Sequence, residues 1–209
     1  MENNNNRLEV ALQQIHEAVY STLNLQQILD LMVRNTTVTL AVRGCSLFIL
    51  SEEGKDLKAI ASHGLSQSYL SKGHIHADKS ISETMQGKVV LIDDPCQDPR
   101  IQYPEGAKKE GITSILSLPL SLNSKIIGVL RIYMSEGRTL SVEEIGFVKA
   151  LCESCVLAIQ NACCYEVLQE KHEIMMSDVW RWFRLDPALS AYRHSGIQSL
   201  PTANLMKVD

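Results

Sequence analysis

The stretch SILSLPLSLNSKIIGVLRIYMS, residues 114–135, decides the fold expected of this chain. It consists of two apolar runs, 114–122 and 125–135, that flank the dipeptide Asn123-Ser124. Two strand-like runs separated by a short polar turn are typical of a β-hairpin. The sequence therefore predicts two long antiparallel strands at this point.

The two faces of the predicted hairpin differ in chemistry. Successive side chains of a strand point to opposite faces, so four leucines share one face: Leu116, Leu118, Leu120 and Leu122. The opposite face mixes apolar and polar side chains: Ile115, Ser117, Pro119 and Ser121 from the first strand, and Ile127, Val129, Arg131 and Tyr133 from the second. We expect the leucine face to pack on helices. The half-polar face suits a ligand cavity, which needs a few polar groups on an apolar wall.

Shorter apolar runs before the hairpin predict the rest of the sheet. Residues 46–51 and 57–63 are joined by a segment containing Gly54, which suits a second hairpin. Residues 88–92 predict a further strand, and the proline-containing segment 93–106 is predicted to be a loop. Hairpins without a regular alternation of strands and helices indicate an α+β fold with an antiparallel sheet.

Helices are predicted on either side of these strands. Asn24 is expected to cap the first helix of the main domain, and Ser141 with Glu144 forms a capping-box pattern that opens the last helix. Nothing breaks helical character before Pro187, so this helix is expected to be ~65 Å long at ~1.5 Å per residue. That length exceeds the core of one domain, so part of the helix is predicted to project or to meet a partner.

These patterns divide the chain into four segments. The asparagine run ends before the first helical stripe, and the last helical pattern ends at Pro187. The segments are a polar run with a helix (1–21), the main domain (22–165), an extension of the last helix (166–186) and a loosely ordered tail (187–209).

Composition argues against several classes of function. The formal net charge of −4 provides no basic field for a nucleic-acid backbone. No apolar stretch has the length of a membrane span, and the opening MENNNN lacks the pattern of a signal peptide. We therefore expect a cytoplasmic protein without a nucleic-acid partner or membrane span, in which the cysteines stay reduced.

An ordered series of segments resembles the GAF domain, the small-molecule sensory module of signalling proteins. The segments cover about residues 22–165: LNLQQILDLMV, CSLFIL, LKAIASHGLSQSYL, GKVVLIDDPCQDPR, EGITSILSLPLSLNSKIIGVLRIY and LSVEEIGFVKALCESCVLAIQNA. The resemblance implies a PAS-like central antiparallel sheet of five to six strands. It also implies long terminal helices on one face, a ligand pocket under short helices and loops on the other, and a dimer formed through the terminal helices.

The predicted ligand-binding residues lie on the half-polar face and on the loops that would rim it. They are Asp93, Asp94, Arg100, Glu110, Ser114, Ser117, Arg131 and Tyr133. The alternative is that the aspartates cap turns and that Arg100 pairs with one of them. The cyclic-nucleotide pattern N-K-x-n-F-x-x-x-D-E of some GAF domains does not occur, and no cofactor is predicted.

Four cysteines cluster in CESCVLAIQNACC, residues 152–164. On a helix with ~100° per residue, Cys152, Cys155 and Cys163 share one face and are predicted to be small core residues. Cys164 falls on a second stripe with near-heptad spacing, which predicts a coiled-coil seam between two subunits. Its other members are Leu157, Asn161, Leu168, Met175, Val179 and Trp182. The alternative is that this stripe folds back on the N-terminal helix of its own chain.

Two further groups have side chains capable of chemistry. Cys96 lies in the predicted loop, but Gln97 follows it, where many bilin-binding GAF domains have histidine. His63, His74 and His76 are close in sequence, yet no acidic or cysteine ligand stands at a fixed offset, so no metal is predicted.

The favoured function is that of a non-enzymatic sensor. We expect a homodimer that binds a small molecule and signals through its helices or through a separate output protein, because only about twenty residues follow Pro187. One alternative is a thiol-dependent reductase of the free methionine sulfoxide type that uses Cys96. Another is a purely structural dimerisation module with a collapsed pocket.

Overall fold

Across the described residues, an antiparallel sheet of six strands organises the fold. The computed structural model describes residues 2–21, 24–71, 73, 75–77 and 81–185. The strands are β1 (Gly44–Leu50), β2 (Asp56–His63), β3 (Ile75–His76), β4 (Val90–Ile92), β5 (Ser114–Leu122) and β6 (Lys125–Met134). Their order in the sheet is β3-β2-β1-β6-β5-β4, and each neighbouring pair is antiparallel. The predicted α+β class and the predicted strand number are confirmed.

Five α-helices accompany the sheet in the part of the chain that the structure describes. They are α1 (Glu2–Ser21), α2 (Leu25–Leu40), α3 (Gln67–Leu70), α4 (Pro104–Glu110) and α5 (Val142–Leu185), with a 3₁₀ turn at Thr84–Gln86. The chain separates into two units, residues 1–162 and 163–209, so that α5 contributes to both. None of the helices described is both long enough and apolar enough to cross a bilayer.

The β5–β6 hairpin forms where the sequence predicts it. Asn123 and Ser124 both have positive φ, at 50° and 64°, as a two-residue hairpin turn of the I′ type requires. A β-bulge beside Ser121 leaves Ile127 between the paired positions, and Ile127 packs against the helix-side core. Its predicted place beside Val129 is therefore wrong, because one extra residue in a strand reverses the direction of the next side chain.

The leucine face of the hairpin packs on the long helices, as predicted. Leu116, Leu118 and Leu120 are buried in the main core, and Leu122 packs at its edge. The same core holds residues of α1, α2 and α5, including Ile15, Leu29, Met32, Val148 and Cys155. This face of the sheet is closed by helices.

Helix caps set the start of α2 and of α5. The Asn24 side chain accepts a hydrogen bond from the Gln27 amide, at 3.1 Å. The Ser141 amide donates to a Glu144 carboxylate oxygen (2.9 Å), and the Glu144 amide donates to the Ser141 hydroxyl (3.3 Å). Both predicted caps are confirmed, since each satisfies helix-terminal amides that have no partner within the helix.

The second unit contains the rest of α5. From Cys163 to Trp182 the side chains are exposed, with Met176 partly buried. The predicted core position of Cys163 is therefore wrong, whereas Cys152 and Cys155 are buried as predicted. The core residues of the helix end at Ala158, with Ile159 partly buried, so the same helical face has no core to enter one turn later. The predicted tail, 187–209, lies outside the described residues.

Candidate functional site

An open cavity of about 320 Å³ lies on the sheet face opposite the long helices. Strands β1, β2, β3 and β6 and the segment around α3 form its walls: Phe48, Leu57, Lys58, Ala59, Tyr69, Leu70, Ser71, Gly73, Ile75 and Tyr133. Lys58 pairs with Ile49, a helix-side residue, so its register places its side chain on the opposite face from Leu57 and Ala59. The walls are thus mainly apolar and aromatic, as in small-molecule pockets.

The short helix α3 forms one side of the cavity because its first turn is capped and anchored. The Ser66 hydroxyl accepts from the Tyr69 amide at 3.2 Å and serves as the N-cap. This places the Tyr69 ring edge-on to the Tyr133 ring, with centroids 5.7 Å apart and planes at 85°. Such a T-shaped pair is a favourable aromatic contact.

Glu110 holds the N-cap residue Ser66 in place through hydrogen bonds. Its carboxylate, at the end of α4, accepts hydrogen bonds from the Ser66 amide (3.0 Å) and the Ser66 hydroxyl, and it forms an ion pair with Arg43 (2.6 Å). Arg43 also donates to the Gly64 carbonyl at 2.7 Å. Glu110 therefore ties α4, the residue before β1 and the start of α3 together.

A row of polar side chains crosses the cavity-side face of the sheet at one register level. Ser46 on β1 pairs with Ser62 on β2 and with Arg131 on β6, and Arg131 pairs with Ser117 on β5. We call these four residues the polar belt. The Ser46 and Ser62 hydroxyls are 2.7 Å apart, and Arg131 Nε donates to the Ser117 hydroxyl at 3.1 Å. Arg131 is only 4% exposed, so the belt brings a positive charge into the interior.

The two tyrosines of the site are neutral phenols at physiological pH. Burial raises the pKa of Tyr133, opposed by the charge of Arg131 and by hydrogen bonds with Ser46 and Arg131. Burial also raises the pKa of Tyr69, and the neighbouring Tyr133 adds to that rise. Neutral phenols both donate and accept hydrogen bonds, which suits them to orient a polar ligand group.

The sequence profile of the GAF domain matches residues 22–160. The chain belongs to the GAF domain family. GAF domains are sensory domains of signalling proteins. No curated protein matches the sequence.

Solved GAF-like structures share the architecture at low sequence identity. The GAF domain of a phosphoenolpyruvate-protein phosphotransferase from Coxiella burnetii superimposes with a TM-score of 0.69 and 22% identity, over 78% of this chain and 99% of that one. Free methionine-R-sulfoxide reductase from Neisseria meningitidis gives 0.65 and 13%, over 76% and 91%. The phycocyanobilin-bound GAF domain of a cyanobacterial phytochrome gives 0.61 and 18%, over 74% and 94%. At such identities the likeness concerns the fold.

Three of the predicted ligand-binding residues, Tyr133, Arg131 and Ser117, line the cavity of this GAF domain or lie beside a residue of its wall. Tyr133 lines the cavity itself. Arg131 lines a crevice of about 10 Å³ whose walls also include Tyr69 and Ile75, two residues of the cavity wall. Ser117 holds the Arg131 guanidinium from the next strand.

The predicted rim residues have other contacts in the GAF domain. Arg100 pairs with Asp98 and with Glu83, each at 2.6 Å, and lowers the pKa of Asp98. The Asp94 side chain accepts from the Cys96 amide at 2.9 Å. These are the turn-capping and pairing contacts of the alternative interpretation.

The remaining rim residues also lie outside the cavity wall. Asp93 is exposed, Ser114 is half-buried at the start of β5, and Glu110 is the anchor described above. The part of each of these residues in ligand binding stays a prediction.

The lining residues that sequence reasoning missed come from short elements and from tertiary register. Phe48 alternates with the helix-side Leu47, a local signal that could have placed it on the cavity face. Tyr69 sits on a helix of 4 residues, too short for a periodic pattern. Ala59 enters the wall because a bulge beside Phe48 changes the pairing of β1 with β2.

Of the described cysteines, three are buried, and the loop residue Cys96 is exposed. Burial raises the pKa of Cys155 to about 12 and that of Cys45 and Cys152 as well, so these thiols stay protonated. His76 Nδ1 lies 2.6 Å from a carboxylate oxygen of Asp56, within hydrogen-bond distance, and His74 lies outside the described residues.

Proposed function

We propose that this GAF domain is a non-enzymatic cytoplasmic sensor that binds a small molecule in the cavity and transmits occupancy through α5. The observation that carries the proposal is the double role of β6. Tyr133 lines the cavity, while the adjacent Ile132 belongs to the core that contains Val148 and Cys155 of α5. A ligand that displaces this strand therefore disturbs the packing of the signalling helix.

The segment after β6 supports the same route. Arg138 donates to the Leu40 carbonyl at the end of α2 (2.9 and 2.8 Å) and forms an ion pair with Glu144 at 2.7 Å. Glu144 is the capping-box partner of Ser141 in the first turn of α5. A shift at the end of β6 thus reaches the first turn of α5 through one side chain, which supports a population shift between two packings.

Exposed apolar residues support a homodimer as the signalling form. In the second unit, Leu168 and Trp182 are 66% and 60% exposed, and Cys164, Met175 and Val179 are exposed on the same predicted seam. An isolated helix of about 20 residues is marginally stable in water. Burial of this seam against a second copy removes apolar surface from water and stabilises the helix.

The first unit offers a further apolar surface. A groove of about 610 Å³ follows the outer face of α1, lined by Glu9, Leu12, Gln13, His16, Glu17 and Tyr20. On α5, Leu157 of the predicted seam is also exposed. The proposed dimer forms through these faces of the terminal helices, and a separate output protein is the proposed receiver of the signal.

Native mass spectrometry tests ligand binding and stoichiometry together. We expect a dimer mass and, after incubation with a metabolite library, retention of a small molecule by the wild type. Ala59→Trp fills the cavity and should abolish retention without changing stoichiometry. Leu168→Asp should shift the protein to monomer, whereas Glu170→Gln on another face of α5 should not. Failure of the wild type to retain any small molecule would contradict the sensory function.

The non-enzymatic character is tested with the thiol reductase reaction. We expect no turnover of free methionine sulfoxide with a thiol reductant and the wild-type protein. Turnover that disappears in Cys96→Ser but persists in Cys163→Ser would establish the reductase alternative instead.

A further inference from the structure

The polar belt is the part of the cavity-side face that the fold alone does not require. At the adjacent register levels, Phe48 pairs with Val129 and Ile115 pairs with Tyr133, so the neighbouring positions are apolar or aromatic. Burying a charged group costs free energy unless its surroundings bind it well. A guanidinium stays charged inside a protein. Arg131 therefore gives this face a fixed positive charge.

The cavity has a polar end directed toward Arg131. Tyr133 lines the cavity and lies two positions from Arg131 on the same face of β6. The crevice that reaches Arg131 shares Tyr69 and Ile75 with the cavity. Of the two shared residues, Tyr69 is carried by a helix of 4 residues.

The other end of the cavity is apolar. Phe48, Leu57 and Ile75 form one buried cluster of the cavity-side face, and each of them also lines the cavity. Aromatic and branched side chains of this kind bind apolar bodies through area burial and ring contacts. The cavity is therefore polarised: the Tyr133 phenol lies at one end, near the crevice that Arg131 lines, and hydrocarbon lies at the other.

We propose that the cavity takes a small carboxylate with an aromatic or branched apolar body. The acid binds Arg131 and Tyr133, and the body packs on Phe48, Leu57 and Ile75. Arginine suits this role because its planar N–H donors match a carboxylate. Entry of the acid displaces Tyr69, so binding moves α3. This inference rests on the proposed sensory function and adds the chemical class of the ligand.

Isothermal titration at pH 7 with two matched probes tests the class. Phenylacetate and phenylacetamide have the same shape, but only the first carries a charge. We expect phenylacetate to bind the wild type at least ten times more tightly, and acetate, which lacks the body, to bind at least ten times more weakly than phenylacetate. Equal binding of the two matched probes would overturn the carboxylate class.

Substitution of the cation locates the effect. Arg131→Gln should weaken phenylacetate at least tenfold and leave phenylacetamide within twofold. Lys125→Gln, which removes an exposed positive charge from the same strand, should change neither. A preference for phenylacetate that survives in Arg131→Gln would overturn the role of Arg131. If Arg131→Gln does not fold, Tyr133→Phe provides the second variant, with an expected loss of at least threefold for phenylacetate.

The outcomes separate this inference from the sensory function. Binding of phenylacetamide alone, or retention of a neutral metabolite in native mass spectra, would overturn the carboxylate class and leave the sensor intact. Absence of binding by both probes would overturn the carboxylate class, and the metabolite screen decides the sensory function independently.

Discussion

The two faces of the sheet are built from alternate residues of the same strands and serve different purposes. On the helix side, Leu118, Leu130 and Ile132 belong to one continuous core shared with three long helices. On the cavity side, buried apolar residues form two separate clusters. The polar belt and the open cavity lie on the same face. Adjacent residues of one strand therefore have different roles: one side chain stabilises the core, and the next faces the cavity.

The largest expected effect on stability comes from a substitution on the helix-side face. Leu118→Ala should lower the free energy of unfolding by about 3 kcal/mol, because it removes buried apolar area and leaves a cavity in a continuous core. Urea denaturation measures the loss. Leu91→Ala, at a residue 51% exposed, is the control and should stay within about 0.5 kcal/mol of the wild type. A loss below about 1 kcal/mol for Leu118→Ala would contradict a tightly packed face.

The second prediction compares two alanines of β2 directly. Ala61 is buried in the helix-side core, whereas Ala59 is exposed and lines the cavity. Ala61→Leu should cost about 2 kcal/mol through overpacking, and Ala59→Leu should cost less than about 0.5 kcal/mol because its side chain enters open space. Thermal unfolding of both variants decides the matter. Equal costs would mean that the cavity side is as closely packed as the helix side.

The third prediction concerns the anchor beneath the cavity. Glu110→Gln should lower stability by about 1.5 kcal/mol, since it removes the charge that pairs with Arg43 and weakens two hydrogen bonds to Ser66. Arg43 is 40% exposed, so the loss is smaller than for a fully buried pair. Amide exchange at Tyr69 and Leu70 should speed up more than exchange in β5. Uniform acceleration throughout the sheet would refute a local anchor.

The smallest expected effect lies at the turn, outside both faces. Ser124→Gly should raise stability by about 0.7 kcal/mol, because glycine adopts positive φ without the steric cost that serine bears. Urea denaturation of Ser124→Gly and Ser124→Ala provides the matched pair, with Ala expected to be no more stable than the wild type. A destabilised Ser124→Gly would show that the serine side chain makes a compensating contact.

Much of the helix-side face could be predicted because its signals are local. The four alternating leucines of β5 and the Ser141–Glu144 capping pattern each indicate a position through nearest neighbours along the chain. The prediction for Ile127 failed where a bulge interrupts the alternation. The prediction for Cys163 failed because helical periodicity says which face a residue lies on, and not where the core beneath that face ends.

The cavity side was predictable only in part. Alternation placed Ser117, Arg131 and Tyr133 on the correct face, but the contacts of Glu110 and Arg100 join residues that are distant in the sequence or depend on loop geometry. Glu110 meets Ser66 across 44 positions, a pairing that no local pattern encodes. Charged residues in loops indicate that ion pairs and hydrogen bonds form. They do not indicate which residues are the partners.

Local order along the chain therefore specifies the strands, the caps, the long α5 and, through their ordered series, membership of the GAF family. Tertiary packing alone decides that Ser62, Ser46, Arg131 and Ser117 share one level across four strands, and that α3 stands over an open space beside Tyr133. The physical reason is that periodicity depends on neighbours a few residues apart. Strand register and cavities depend on contacts between segments that are distant in the sequence. Each strand pairing is set by the burial of side chains on both faces of the sheet.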